Sequence, residues 1–220
     1  MSPTHTSIPI SSRVGKFSYA IRNIAVEAQR VEAAGTRVRY LNVGNPPAFG
    51  FQPPVHMIEA VERAMRSGEN GYCPSPGIMP AREAIAHEYT SRGWPVSADR
   101  VVVTAGTSEA IEIILTALVD QQGEVLVPLP DYPLYTAVIS KLGARAVHYR
   151  TDPTRRWMPD FDHLARVVTS ATRAIVVIDP NNPTGATYPK EVRKSLVGFA
   201  DKHGLAIVAL PWLATTQARG

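Results

Sequence analysis

The 220 residues are 45% hydrophobic and 19% charged, enough apolar content for one large domain or two small ones and too much for a disordered chain. Lys and Arg number 23 against 19 Asp and Glu, and the resulting +4 is scattered, without a like-charge block or basic–aromatic interleaving, which argues against nucleic acid as a partner. A single cysteine excludes an internal disulfide, no run of about 18 apolar residues is present to span a membrane, and six histidines without i, i+3 or i+4 partners argue against a metal site. The opening "MSPTHTSIPISSRVGK" lacks the apolar stretch of a signal peptide, so the chain reads as cytoplasmic.

In chain order, "YAIRNIAVEAQRVEAAG" predicts a helix with Ile21, Ile24, Ala28 and Val31 on one face and a stop at Gly35. "RYLNVGNPP" predicts a short strand running into a turn. "PPVHMIEAVERAM" and "PAREAIAHEYTSR" predict helices, separated by the turn-rich "GENGYCPSPG". From Arg100 strands and helices alternate. "RVVVTAG" predicts a strand and "TSEAIEIILTALV" a helix that buries Ile111, Leu115 and Leu118. The strands "GEVLVPLP", "ARAVHYR", "TRAIVVIDP" and "LAIVAL" follow, with the helices "YPLYTAVISKLG", "PDFDHLARVV" and "PKEVRKSLVGFADKHG" between them. Continuous apolar strands separated by helices predict an α/β fold with a mostly parallel sheet covered on both faces.

Ligands of such sheets lie beyond the carboxyl ends of the strands. Three predicted ends carry suitable residues. Gly106, Thr107 and Ser108 open a helix, where free N–H groups and two hydroxyls suit a phosphate; Thr107 as an ordinary cap is the competing reading. Tyr132, in "VPLPDYPLY", suits stacking on a flat ring or plain packing at a helix start. Asn181 and Asn182, in "IDPNNPTGATY", suit donation to a ligand oxygen or an Asx turn.

The ordered motifs "NVGNPP", "GTSEAI", "PDYPLY" and "NNPTG" resemble the class I/II pyridoxal-phosphate-dependent aminotransferases of fold type I, over about residues 14–209. The wording "PDYPLYTAVISKLGARAVHY" followed by "W…PDFDHL" is most similar to the bacterial alanine (glutamate–pyruvate) transaminase branch. The resemblance implies pyridoxal 5'-phosphate as cofactor, an amino acid and a 2-oxo acid as substrates, and a homodimer. It implies that Gly106, Thr107 and Ser108 hold the cofactor phosphate, Tyr132 stacks on the ring and Asn182 bonds its phenolic oxygen. Gly44 would lie beside the substrate carboxylate, and Tyr72 would reach the phosphate of the neighbouring subunit. Residues 1–50 would be an N-terminal segment with part of the small domain and the substrate-side loop, and residues 51–220 an incomplete cofactor-binding large domain.

The resemblance stops at Ala209. In the family an aspartate for the ring nitrogen and a tyrosine follow this strand, and the Schiff-base lysine and carboxylate-binding arginine come later; here Leu210, Pro211, Trp212 and Leu213 follow instead. Lys16, Lys141, Lys190, Lys194 and Lys202 read as surface residues, so no catalytic residue is assigned. The expectation is a truncated chain with a shifted reading frame after about Ala209, poorly soluble and inactive alone. The alternatives are a non-catalytic remnant or a lyase or decarboxylase on the same scaffold.

Overall fold

The run "EVLVPL" forms β1 (Glu124–Leu129) because its apolar residues on both faces can be buried only between two layers. In this computed structural model, which describes residues 20–40 and 44–210, β1 is the centre of a five-stranded sheet ordered β3-β2-β1-β4-β5. The other strands are β2 (Arg145–Asp152), β3 (Met158–Pro159), β4 (Thr172–Ile178) and β5 (Ala206–Leu210). β2, β1, β4 and β5 run parallel, with Val127 opposite His148 and Val176 opposite Val208. β3 is antiparallel to β2, an addition that two residues of sequence could not announce.

The described residues form seven α-helices: α1 (Ala20–Ala33), α2 (Val55–Arg66), α3 (Met79–Ser91), α4 (Thr107–Leu118), α5 (Leu134–Lys141), α6 (Phe161–Val167) and α7 (Lys190–His203). α4 and α5 cover one face, where Ile111, Leu115, Tyr135 and Ile139 pack on Val125, Val127 and Val176. α6 and α7 cover the other, where Leu164, Leu196 and Ala200 pack on Leu126, Tyr149 and Ile175. Neighbouring strand residues thus divide between two cores, as the pleat requires. α7 ends where Gly204 takes φ +64°, a left-handed conformation costly for any residue with a Cβ, and its N–H caps the helix.

Among the described residues there are two compact units: residues 27–107, and residues 108–210 with residues 20–26. The sheet lies wholly in the second. Within residues 27–107, Arg82 Nε donates to the Val101 carbonyl at 2.9 Å, and Val103 N to Pro76 O at 2.9 Å.

Some expectations need correction. Residues 101–104 form no strand: a strand needs a ladder partner, and the bond from Val103 to Pro76 joins it only to a loop. Residues 39–40 and 44–45 are likewise not strand, and the rest of that predicted strand, residues 41–43, lies outside the described residues. Leu118 is exposed and Val119 is buried in its place, because i, i+4, i+8 from Ile111 keeps to one helical stripe. α1 forms as expected, and Ile24 and Val31 of its apolar face are exposed. The tail "PWLATTQARG" and Lys16 lie outside the described residues.

Candidate functional site

Topology selects the place for a site. From β1 the chain crosses to β2 on one side and later returns to β4 on the other, so strand order reverses between β1 and β4. The crevice beyond the carboxyl ends of two such strands is where a parallel sheet accepts a ligand. The loops that leave those ends carry Tyr132 and Asn182. Residues 119–123 return the chain from α4 to the start of β1, so the helix runs back along the sheet and its amino terminus lies at the same end. The first turn of α4, with Ser108, and the loops with Tyr132 and Asn182 are thus all directed to the carboxyl end of the sheet.

The α4 terminus has the properties an anion needs. Thr107 is the first helical residue, so neither it nor Ser108 stands outside the helix as a cap. Their hydroxyls bond to no other described residue. Gly106 precedes them at φ +81°, with no atom within 4 Å of where a Cβ would stand, so the backbone is open to close approach. First-turn N–H groups and the positive end of the helix dipole add to the attraction.

The β1 loop presents an aromatic ring. Thr151 Oγ1 donates to the Leu129 carbonyl at 2.7 Å and ties the end of β1 to β2. Half-buried Tyr132 packs on the α4–α5 core and meets the buried Tyr135 edge-on, with centroids 6.5 Å apart. Its hydroxyl has no partner among the described residues. Cis peptide bonds precede Pro130, Pro180 and Pro183 in the two loops.

In the β4 loop the two asparagines divide the two readings between them. Asn181, 5% exposed, forms the Asx turn: its Oδ1 accepts from Thr184 N at 3.2 Å and Thr184 Oγ1 at 2.8 Å. Gly185 N donates to Asn181 O at 2.7 Å, and Asn181 N to Ala186 O at 2.8 Å. Asn182 is half-buried and its amide bonds to no other described residue, which leaves it available. Asp179 braces the loop by accepting from Tyr188 N at 3.1 Å and by ion-pairing with the Arg193 guanidinium at 3.1 Å, while the Arg193 Nε–H donates to the Tyr188 carbonyl at 2.7 Å. Burial, with the Asp179 charge beside it, pushes the Tyr188 hydroxyl up to about 12.

Gly44 and Tyr72 belong to the unit of residues 27–107. Gly44 is exposed just before the 3₁₀ turn Pro46–Phe49, and Tyr72 is fully exposed. The described lysines, Lys141, Lys190, Lys194 and Lys202, are exposed residues of α5 and α7, and Lys141 and Lys194 pair with Glu112 and Glu191. Residue-type reasoning missed Asp131 and Asp179, the aspartates that shape the two loops; their position just after a strand was the available signal. No cluster of three metal-ligating side chains occurs among the described residues, and no helix there is long and apolar enough to cross a membrane.

Residues 36–209 match the family described as aminotransferase class I and II. The glutamate–pyruvate aminotransferase AlaA of Escherichia coli is 42% identical over 211 residues, 95% of this chain and 51% of that protein. An alanine aminotransferase of Mycobacterium tuberculosis is 41% identical over 202 residues, 90% of this chain and 47% of that protein. Among solved structures, an alanine aminotransferase from Pyrococcus furiosus aligns with a TM-score of 0.86 at 39% identity, covering 91% of this chain and 51% of that one. The chain spans about half the length of the curated relatives it matches. A sheet flanked by helices on both faces, a reversal of strand order with suitable side chains at its open end, and these matches agree: the chain belongs to the class I and II aminotransferases.

Proposed function

We propose that residues 106–108, Tyr132 and Asn182 form the cradle for pyridoxal 5'-phosphate in an enzyme that moves an amino group from an α-amino acid, alanine, to a 2-oxo acid such as 2-oxoglutarate. The observation that supports this reading is the topology: the loops carrying Tyr132 and Asn182 leave β1 and β4 at the reversal of strand order, and α4, which opens with Ser108, runs back toward that end. The fit is good group by group. The α4 terminus, with open space at Gly106 and two hydroxyls without a partner among the described residues, suits the dianionic phosphate. Tyr132 offers a flat apolar face, and the Asn182 amide can donate to the phenolic oxygen. The choice of alanine and a 2-oxo acid rests on the relatives named alanine and glutamate–pyruvate aminotransferases.

When bound, the cofactor supplies an electron sink for a carbanion at the substrate α-carbon. The residues described here bind and orient it. Ser108 and Thr107 anchor one end and Asn182 the other, and Tyr132 covers a face and keeps water from it. Gly44 would lie against the substrate carboxylate, and Tyr72 would reach the phosphate in a second subunit of a homodimer. Residues 1–50 would contribute to the small domain and residues 51–220 to the large one, in a cytoplasmic enzyme. With its described lysines exposed on helices, this stretch holds the cofactor without a covalent link and is inactive alone.

Titration of the full chain with pyridoxal 5'-phosphate, followed by ligand fluorescence, tests the reading. Saturable binding, competed by inorganic phosphate and weakened about threefold to tenfold by Ser108→Ala or Tyr132→Ala, is expected. Binding that ignores both substitutions, or no binding, refutes the cradle.

A further inference from the structure

Asp131 directly precedes Tyr132 and receives a bond from α5. Thr136 Oγ1 lies 2.9 Å from Asp131 Oδ2 and 3.1 Å from His148 Nε2. A threonine hydroxyl has one proton and an ionised carboxylate can only accept, so that proton points to Asp131. The second contact must then run the other way, with the imidazole Nε2–H donating to Thr136 Oγ1. Neutral His148 is thereby held as the Nε2–H tautomer. Its Nε2 also stands 3.7 Å from Asp131 Oδ2.

These three residues come from three elements. His148 is on β2, paired with Val127 of β1 in the most regular part of the sheet. Its neighbours Val147 and Tyr149 pack on the α6–α7 side, so His148 points to the α5 side, where Thr136 is. Both ends of the chain of bonds are sheltered, with the side chains of Asp131 and His148 14% and 32% exposed. The path therefore runs from a register-locked strand, through a helix, to the residue beside Tyr132. Besides this path, the end of β1 is tied to β2 by the Thr151–Leu129 bond, one turn of backbone before the ring.

We propose that Asp131, Thr136 and His148 form a brace that positions the Tyr132 ring, with His148 as a positioning residue; this rests on the reading of Tyr132 as the cofactor's stacking partner. A ring already held in place loses less freedom when a ligand stacks on it, so the brace acts on affinity more than on folding.

The full chain labelled with fluorotyrosine provides the test, the Tyr132 resonance being assigned by its loss in Tyr132→Phe. His148→Leu and Thr136→Val should each move that resonance toward the free amino acid and weaken pyridoxal 5'-phosphate binding about threefold to tenfold. His148→Gln, whose side-chain N–H can donate to Thr136, should restore both, which a role in packing alone would not. The proposal is overturned if the resonance is unmoved in both His148→Leu and Thr136→Val, or if Gln behaves like Leu. If the resonance responds as expected but Tyr132→Ala leaves cofactor affinity unchanged, the brace stands and the cofactor reading of Tyr132 falls.

Discussion

Glu124→Gln removes one charge at the start of β1 and keeps the side-chain volume. Glu124 is 5% exposed, and its carboxylate accepts from Thr169 Oγ1 at 2.6 Å and Thr172 Oγ1 at 3.3 Å while pairing with Arg145. The register sets Arg145 of β2 and Thr172 of β4 opposite Glu124, so one side chain ties three strands at their amino ends. The Arg145 side chain is 64% exposed, which limits its ion pair to about 0–1 kcal/mol. The Thr169 hydroxyl bond to a buried carboxylate is worth about 1.5–3 kcal/mol, and the longer Thr172 contact adds little. Both threonine bonds end on Oε2, so the amide oxygen can keep them but without the charge, and the amide nitrogen then faces Arg145; the expected loss is about 1–2 kcal/mol, against less than about 1 kcal/mol for Arg145→Ala.

The pH dependence follows from the same contacts. Burial by itself would raise the Glu124 pKa, but the bonds from Thr169, Arg145 and Thr172 outweigh it and hold the carboxyl below its ordinary value. A pKa depressed in the folded state contributes stability that is present above the unfolded value, about 4.3, and is lost as pH falls through the folded value. Urea unfolding of the wild type, Glu124→Gln and Arg145→Ala, followed by circular dichroism at pH 7 and then stepped down to pH 3, measures both effects. The gap between wild type and Glu124→Gln should shrink over the acid range. An Arg145→Ala loss as large as that of Glu124→Gln, or a gap unchanged at pH 3, refutes the reasoning.

Leu115→Ala should cost about 2–5 kcal/mol in the same urea assay, because Leu115 is fully buried between α4 and the sheet, whereas Leu118→Ala should cost under about 1 kcal/mol. Equal losses at the two positions would mean that the helix is rotated from the orientation described. Asn181→Ala removes both bonds accepted by Oδ1, about 1 kcal/mol each, but also removes Nδ2, a buried donor without a partner whose desolvation costs about 1–3 kcal/mol. The net change should stay within about 1 kcal/mol of zero, and a loss above about 2 kcal/mol would reveal a partner for that amide.

The local conformation of the candidate site was legible where neighbouring residues decide it. Thr107 and Ser108 open α4 as read from "GTSEAI", and Gly106 before them takes a positive φ. For "NNPTG", residue type left the Asx turn and the ligand donor as alternatives. The structure assigns the turn to Asn181 and leaves Asn182 free of bonds to other described residues, because only the folded loop brings Thr184 onto one amide and not the other. The loop braces were invisible for a related reason. His148 is 12 residues from Thr136, and Arg193 reaches back 14 residues to Asp179; nothing in their spacing signals a contact that depends on strand register and helix packing.

The residues 101–104 show the opposite failure. Their β-branched composition is that of a strand, yet a strand is a relation between two segments, and composition describes only one of them. Apart from β3, the sequence by itself determined the kinds of element from Thr107 to Leu210 and their order, because periodicity, capping and glycine conformation act within a few residues. Only the tertiary structure decided that β4 lies beside β1 and not beyond β2. That choice creates the reversal of strand order at which the candidate site lies, and it is made by non-local pairing and by two apolar cores that must each be covered.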